Sequence, residues 1–295
     1  MIAVASPLEV AQRATAELGE GPTWDAATGR LVWVDILGSE VHHFDPVTGA
    51  DDVVATPQHV GAAKPRAGGG LALNLRDGVA LTDAAGTIER WLARWPRDGC
   101  RGNDAAVDAA GCLWAGTMRY DTSPGGGRLY RVDPGGQVVT VLDEVTISNG
   151  IGWSPDGGRM YYVDTPTRTV DVFDVHPSDP PGTVRGRRPL VELGADTAGD
   201  PDGLTVDTDG CVWVALWDGS AVHRYTPDGR LDRVVSVPTA RPTACTFGGP
   251  GLHDLYVTTG RDGLDDATLA REPLAGSVLV LPDAGSGLPT HPFAG

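Results

Sequence analysis

Four polar residues, Glu20, Asn103, Asn149 and Asp202, each stand four positions ahead of an equivalent point in a recurring strand-turn-strand pattern. Glu20 precedes Trp24-Asp25, Asn103 precedes Val107-Asp108, Asn149 precedes Trp153-Ser154 and Asp202 precedes Val206-Asp207. The carboxylates of Glu20 and Asp202 with the side-chain carbonyl of Asn149 make a doubly negative oxygen set. Such a set suits one divalent cation, Ca²⁺, Mg²⁺, Mn²⁺ or Zn²⁺, with positions left for water and substrate. Asn103 offers a fourth oxygen, direct or through water. Taken singly, Asn149-Gly150, Asp202-Gly203 and Asn103-Asp104 suit ordinary turns. Glutamate has little turn preference, so the shared phase of all four favours ligands at one centre.

The elements that must bring them together are legible as a repeat. Trp24-Asp25 to Asp35, Val107-Asp108 to Gly116, Trp153-Ser154 to Asp164 and Val206-Asp207 to Ala215 share a short apolar run, an Asp/Gly turn and an aromatic-bearing apolar run. Two weaker copies lie around Leu73 to Leu81, with the turn at Asp77-Gly78, and from Phe247 to Thr258. The positions in phase are then Glu20, Gly69, Asn103, Asn149, Asp202 and Thr243, at intervals of 49, 34, 46, 53 and 41 residues. Repeats of roughly 40 to 50 residues made of short strands indicate an all-β, six-bladed β-propeller.

Third strands are expected in the runs Val41 to Pro46, Arg128 to Pro134, Val170 to Asp174 and Ala221 to Pro227, each ending in a turn. The last copy keeps only Gly276 to Leu281 beyond its hairpin. Its outer strand is expected from the N-terminus, near Leu8 to Ala14, which removes an open seam. Trp33, Trp114, Tyr162 and Trp213 mark second-strand positions read as equivalent and as inter-blade packing. Residues 1–295 are read as one domain, because the 41 Gly and 23 Pro are spread among turns and no helical period persists.

A net charge of −16 argues against nucleic acid or an anionic membrane as partner. No apolar run approaches the ~20 residues of a membrane span and no signal peptide is evident, so a cytoplasmic protein is expected, monomeric or weakly oligomeric. Only one of the 23 basic residues, Lys64, is lysine, which reads as codon bias. Cys100, Cys112, Cys211 and Cys245 have no metal-site spacing and are expected to be buried thiols. Neither G-x-S-x-G nor H-E-x-x-H occurs. Chain direction places three second-to-third-strand loops at the mouth above the axial residues: Arg119-Tyr120-Asp121 to Gly127, Trp217-Asp218-Gly219 and Gly260 to Leu274. The last is long enough to act as a lid or binding element.

The chain resembles the gluconolactonase, regucalcin (senescence marker protein) and luciferin-regenerating enzyme family of six-bladed propellers. The resemblance rests on Gly19-Glu20-Gly21-Pro22, Arg101-Gly102-Asn103-Asp104, Ala115-Gly116-Thr117-Met118, Ser148-Asn149-Gly150, Pro201-Asp202-Gly203, Phe247-Gly248-Gly249 and Arg261-Asp262-Gly263. It implies a divalent metal held by Glu20, Asn149 and Asp202, with Asn103 on metal water or substrate and Arg101 on substrate oxygens. Met118, Tyr120 and Asp121 complete the candidate substrate contacts. Regucalcin-like members carry a longer acidic segment after the position of Met118, so the identity of the sugar is not carried over.

The expected activity is opening of a small-molecule sugar lactone. The cation polarises the carbonyl, Arg101 and Asn103 hold ring hydroxyls, and Asp202 is the general base toward water. The alternatives are a related phosphotriesterase-type hydrolase, a metal-dependent lyase or isomerase of a biosynthetic pathway, or a propeller used only for binding.

Overall fold

The computed structural model describes residues 3–4, 8–96 and 98–295. Its strands form six blades arranged as a β-propeller, each sheet running outward in chain order apart from N-terminal strands at the edges of blades 5 and 6. The innermost strands are Gly19–Asp25, Val60–Pro65, Cys100–Val107, Ser148–Trp153, Asp200–Val206 and Pro242–Gly248 in blades 1 to 6. Each packs beside the next, and Pro242–Gly248 meets Gly19–Asp25 to close the circle. Glu9–Gln12 pairs antiparallel with Val278–Leu281 as the outer strand of blade 6, as the sequence predicts. Ala3–Val4 adds a parallel edge strand to blade 5.

The first hairpins form because one aspartate satisfies a whole turn. In blade 3, Asp108 accepts from the backbone N–H groups of Ala110 and Cys112, and from Trp114 Nε1 at 2.8 Å and Arg131 Nε at 3.0 Å. Asp207 repeats the arrangement in blade 5 with Asp209, Cys211, Trp213 and Arg224. Cys112 and Cys211 thus hold equivalent places at these turns, and all four cysteines are buried thiols outside any disulfide.

The core is divided among the seams. Six clusters of buried apolar side chains lie one between each pair of neighbouring blades. The four second-strand aromatics do pack there, but they are two alternating sets rather than one. Ladder register aligns Trp114 with Trp213 and places Trp33 and Tyr162 one residue further along. Because successive strand residues face opposite ways, the first two face the following blade and the second two the preceding one.

The second blade corrects the repeat. Asp77-Gly78 turns its second hairpin, not its first, and Gly69 lies in the turn between Val60–Pro65 and Leu71–Leu75. The residue in phase with Glu20 is Gly61, 41 residues after it and 42 before Asn103. The glycine run 68–70 supplied a turn signal where the expectation had placed an inner strand.

Candidate active site at the propeller axis

All six inner strands slip register by one residue at the same level. The slips fall between Glu20 and Thr23, Val60 and Ala62, Gly102 and Ala105, Ser148 and Ile151, Pro201 and Leu204, and Pro242 and Ala244. A β-bulge re-aims the side chain it contains. Here the bulges contain or adjoin Glu20, Gly61, Asn103, Asn149, Asp202 and Thr243. The Asn-Gly and Asp-Gly pairs that suit turns are therefore bulges inside strands. Their glycines are needed for close approach: a Cβ on Gly150 would stand 2.7 Å from the Asp202 carbonyl, and one on Gly203 2.3 Å from the Ala244 Cβ.

Glu20, Arg101, Asn103, Asn149 and Asp202 are all buried. Asn149 Nδ2 donates to Asp202 Oδ1 and, at 3.1 Å, to Thr165 Oγ1. Its Oδ1 is buried with no hydrogen-bond partner. Glu20 Oε2 accepts from the Gly21 N–H at 3.0 Å. Arg101 Nη1 donates to Asn103 Oδ1 at 2.6 Å, and Asn103 Nδ2 donates to the Ser148 carbonyl at 2.9 Å.

Burial, and then the negative charge of Asp104, push the Glu20 carboxyl up to about 8. Asp202 is raised by burial and then by Glu20. Burial lowers the Arg101 guanidinium against the opposing pull of Tyr120, Glu20, Asp262 and Asp202. Two acids crowded into a buried space beside an orphaned amide oxygen are the donor chemistry of a hard divalent cation, and the residues fit one. Among the described residues no three His, Cys, Asp or Glu side chains gather at metal-binding spacing. A cation would therefore depend on the Asn149 oxygen as well as the carboxylates.

The mouth residues divide. Met118 pairs with Arg101 across the hairpin and is buried at the edge of blade 4. The Tyr120 hydroxyl meets His59 Nδ1 at 2.8 Å, across from blade 3 to the start of blade 2. Asp121 is tied into its own loop: Arg119 donates to both of its oxygens and Ser123 to one, which pulls its carboxyl well below the usual range. The segment from Gly260 to Leu274 contains a short helix, Asp266–Arg271, capped by Asp265, and the N–H groups of Arg261 and Asp262 both donate to the Glu17 carbonyl at 2.8 Å.

Several site residues went unnoticed in the sequence. Asp35 accepts from the N–H groups of Glu17 and Leu18, and Asp164 accepts from Thr146 and Ile147, so two second-strand ends fix the backbone just ahead of Glu20 and Asn149. Both close an identical Val-Asp dipeptide in the repeat, which was the available signal. His59 carries no motif. Lys64 is buried, donating to Thr23 Oγ1 at 2.7 Å and to the Gly21 carbonyl at 3.3 Å.

Fold and site together define a six-bladed propeller with buried oxygen donors from four blades converging on its axis. The chain belongs to the SMP-30/Gluconolactonase/LRE-like family, whose sequence model matches residues 18–261. It is 35% identical over 273 residues to a 6-deoxy-6-sulfogluconolactonase of Pseudomonas putida, covering 92% of this chain and 93% of that one. It is 40% identical over 278 residues to a pentonolactonase of Haloferax volcanii, again covering 92% and 93%. Among solved structures, the calcium-binding protein regucalcin of Agrobacterium tumefaciens superposes with a TM-score of 0.92 at 30% identity, covering 99% of each chain.

Proposed function

We propose that this protein is a divalent-cation-dependent hydrolase of sugar lactones, with residues 1–295 acting as one domain. The observation that carries the reading is the buried, unpartnered Asn149 Oδ1 beside the Glu20 and Asp202 carboxylates. The lactonase relatives named above support the same class of substrate. Glu20, Asn149 and Asp202 would hold the cation, which when bound supplies a Lewis acid for a lactone carbonyl. Asp202 takes the proton of the attacking water and returns it to the ring oxygen as the ring C–O bond breaks. Asn103 occupies one edge of the Arg101 guanidinium, leaving the rest to meet substrate oxygens. Met118 and Tyr120 wall the mouth beside it.

The test is acid release from a panel of aldonolactones, before and after chelation, with metal analysis of the purified protein. Turnover lost on chelation and restored by a divalent cation is the expected result. Full turnover in a protein stripped of metal would refute the cation dependence, and no turnover on any lactone would refute the substrate class.

A further inference from the structure

The axis continues past the candidate site. Counting from the bulges, Gly21, Ala62, Asp104, Gly150, Gly203 and Ala244 form the next layer, in which Asp104 is the sole charged residue. Two layers further stand Thr23, Lys64, Ala106, Gly152, Thr205 and Thr246, where Lys64 is the sole charged residue. All six of these line a cavity of about 800 Å³ that opens on the face opposite the mouth, among first-hairpin turns such as Asp108 to Ala110.

Within that lining the Lys64 ammonium is held by Thr23 Oγ1 and the Gly21 carbonyl. At roughly 3.3 Å of rise per residue its Cα lies about 10 Å from the Glu20 level. Its ammonium lies between Thr23 Oγ1 at its own level, 2.7 Å away, and the Gly21 carbonyl, directly adjoining Glu20 in sequence, 3.3 Å away on the side of the site. The only lysine of the chain thus places a fixed positive charge just beneath a site built to hold another. Asp104 accepts from the Ala105 N–H at 2.7 Å and forms no hydrogen bond to Lys64, so its charge also acts along the axis. Burial pushes the Lys64 ammonium down, while Asp104 and then Glu20 push it back up, which marks the three as one electrostatic unit.

We infer that Lys64 and Asp104 are opposed positioning residues that set how tightly the axial site holds its divalent cation, Lys64 by repelling it and Asp104 by attracting it. The inference rests on the cation-dependent reading above. A tight site fixes its ion and a looser one exchanges it, so this pair would make affinity a matter of balance, not of ligands alone.

Calorimetric titration of the chelated protein with Ca²⁺, Mn²⁺ and Zn²⁺ tests it. Even with screening as strong as that of water, a dielectric of about 80, one unit charge acting on a divalent ion across two layers, ~7 Å, should change affinity roughly ten-fold. Lys64→Met should tighten binding by about that factor, Asp104→Asn should weaken it similarly, and the double variant should return close to wild type. A merely structural role would weaken binding in both single variants, and that result, or no change in either, overturns the inference. If Lys64→Met does not fold, unchanged affinity in Asp104→Asn still overturns it. A wild-type protein that binds none of the three cations would instead remove the cation reading itself.

Discussion

The Asn103 side-chain amide donates to the Ser148 carbonyl at 2.9 Å, so blade 3 holds the backbone of blade 4 one residue ahead of Asn149. The same side chain accepts from Arg101 through its Oδ1. One asparagine therefore ties the candidate substrate arginine to the segment bearing a candidate ligand. Asn103→Ala should lower lactone turnover roughly 10- to 100-fold, the usual cost of losing a group that orients a ligand. Steady-state kinetics should show both KM and kcat affected, because two partners are released at once. A change in KM alone would confine the residue to substrate contact.

Asp202→Ala should abolish turnover without unfolding the protein. The carboxylate is raised by burial and then by Glu20, so removing it relieves repulsion in the cation-free state. Thermal melting by circular dichroism of the chelated variant should match or exceed that of the chelated wild type. Turnover near the wild-type level would remove Asp202 from the chemistry.

Glu20 makes the cation-free protein sensitive to alkali. Its carboxyl is raised from 4.5 to about 8, so across that window the folded protein keeps a proton that the unfolded chain has released. Stability conferred through this group is complete at the acid end and is lost as pH rises toward 8. The melting temperature of chelated protein should fall over this range, and a saturating divalent cation, which replaces the proton, should flatten the profile. A chelated profile that rises between these pH values would count against the buried, crowded Glu20 described here.

Asn149→Ala should reduce metal content after dialysis against a limiting cation, measured by elemental analysis, with little change in fold. Both N–H groups of that amide are already bonded to Asp202 and Thr165, so only its free oxygen is left for an ion. Unaltered occupancy would place the ion elsewhere.

Asp164→Ala should destabilise the protein by about 1–3 kcal/mol, because the N–H groups of Thr146 and Ile147 lose their acceptor. Chemical denaturation measures that cost. Activity should fall as well, since those residues set the position of Asn149. Asp35→Ala should behave likewise in blade 1 through Glu17 and Leu18. An Asp164 variant that melts early yet keeps full activity would make this residue a matter of stability only.

The propeller was legible because turn glycines and aromatic runs recur in one order along the chain, and Glu20, Asn103, Asn149 and Asp202 repeat in phase within them. Blade 2 was misread because its inner strand, Val60–Pro65, carries glycine where the others carry a polar side chain, while glycines 68–70 and Asp77-Gly78 both look like hairpin turns. The two settings of the second-strand aromatics differ by one residue, and only ladder register separates them. His59 was invisible because its value comes from Tyr120, 61 residues away. Lys64 was noticed for its rarity but not its place, since a lone lysine has no pattern and its importance depends on the axis it points along.

The outer strand of blade 6 imposes an order on synthesis. Glu9–Gln12 leaves the ribosome five blades ahead of its ladder partner Val278–Leu281. The Ala14 N–H likewise waits for Ser277 Oγ, 263 residues downstream. Blades 1 to 5 can assemble one after another during translation, but the latch can engage only once Val278–Leu281 has emerged. Until then the early segment is an unpaired β edge, and the nascent protein is most exposed to misassociation in that interval.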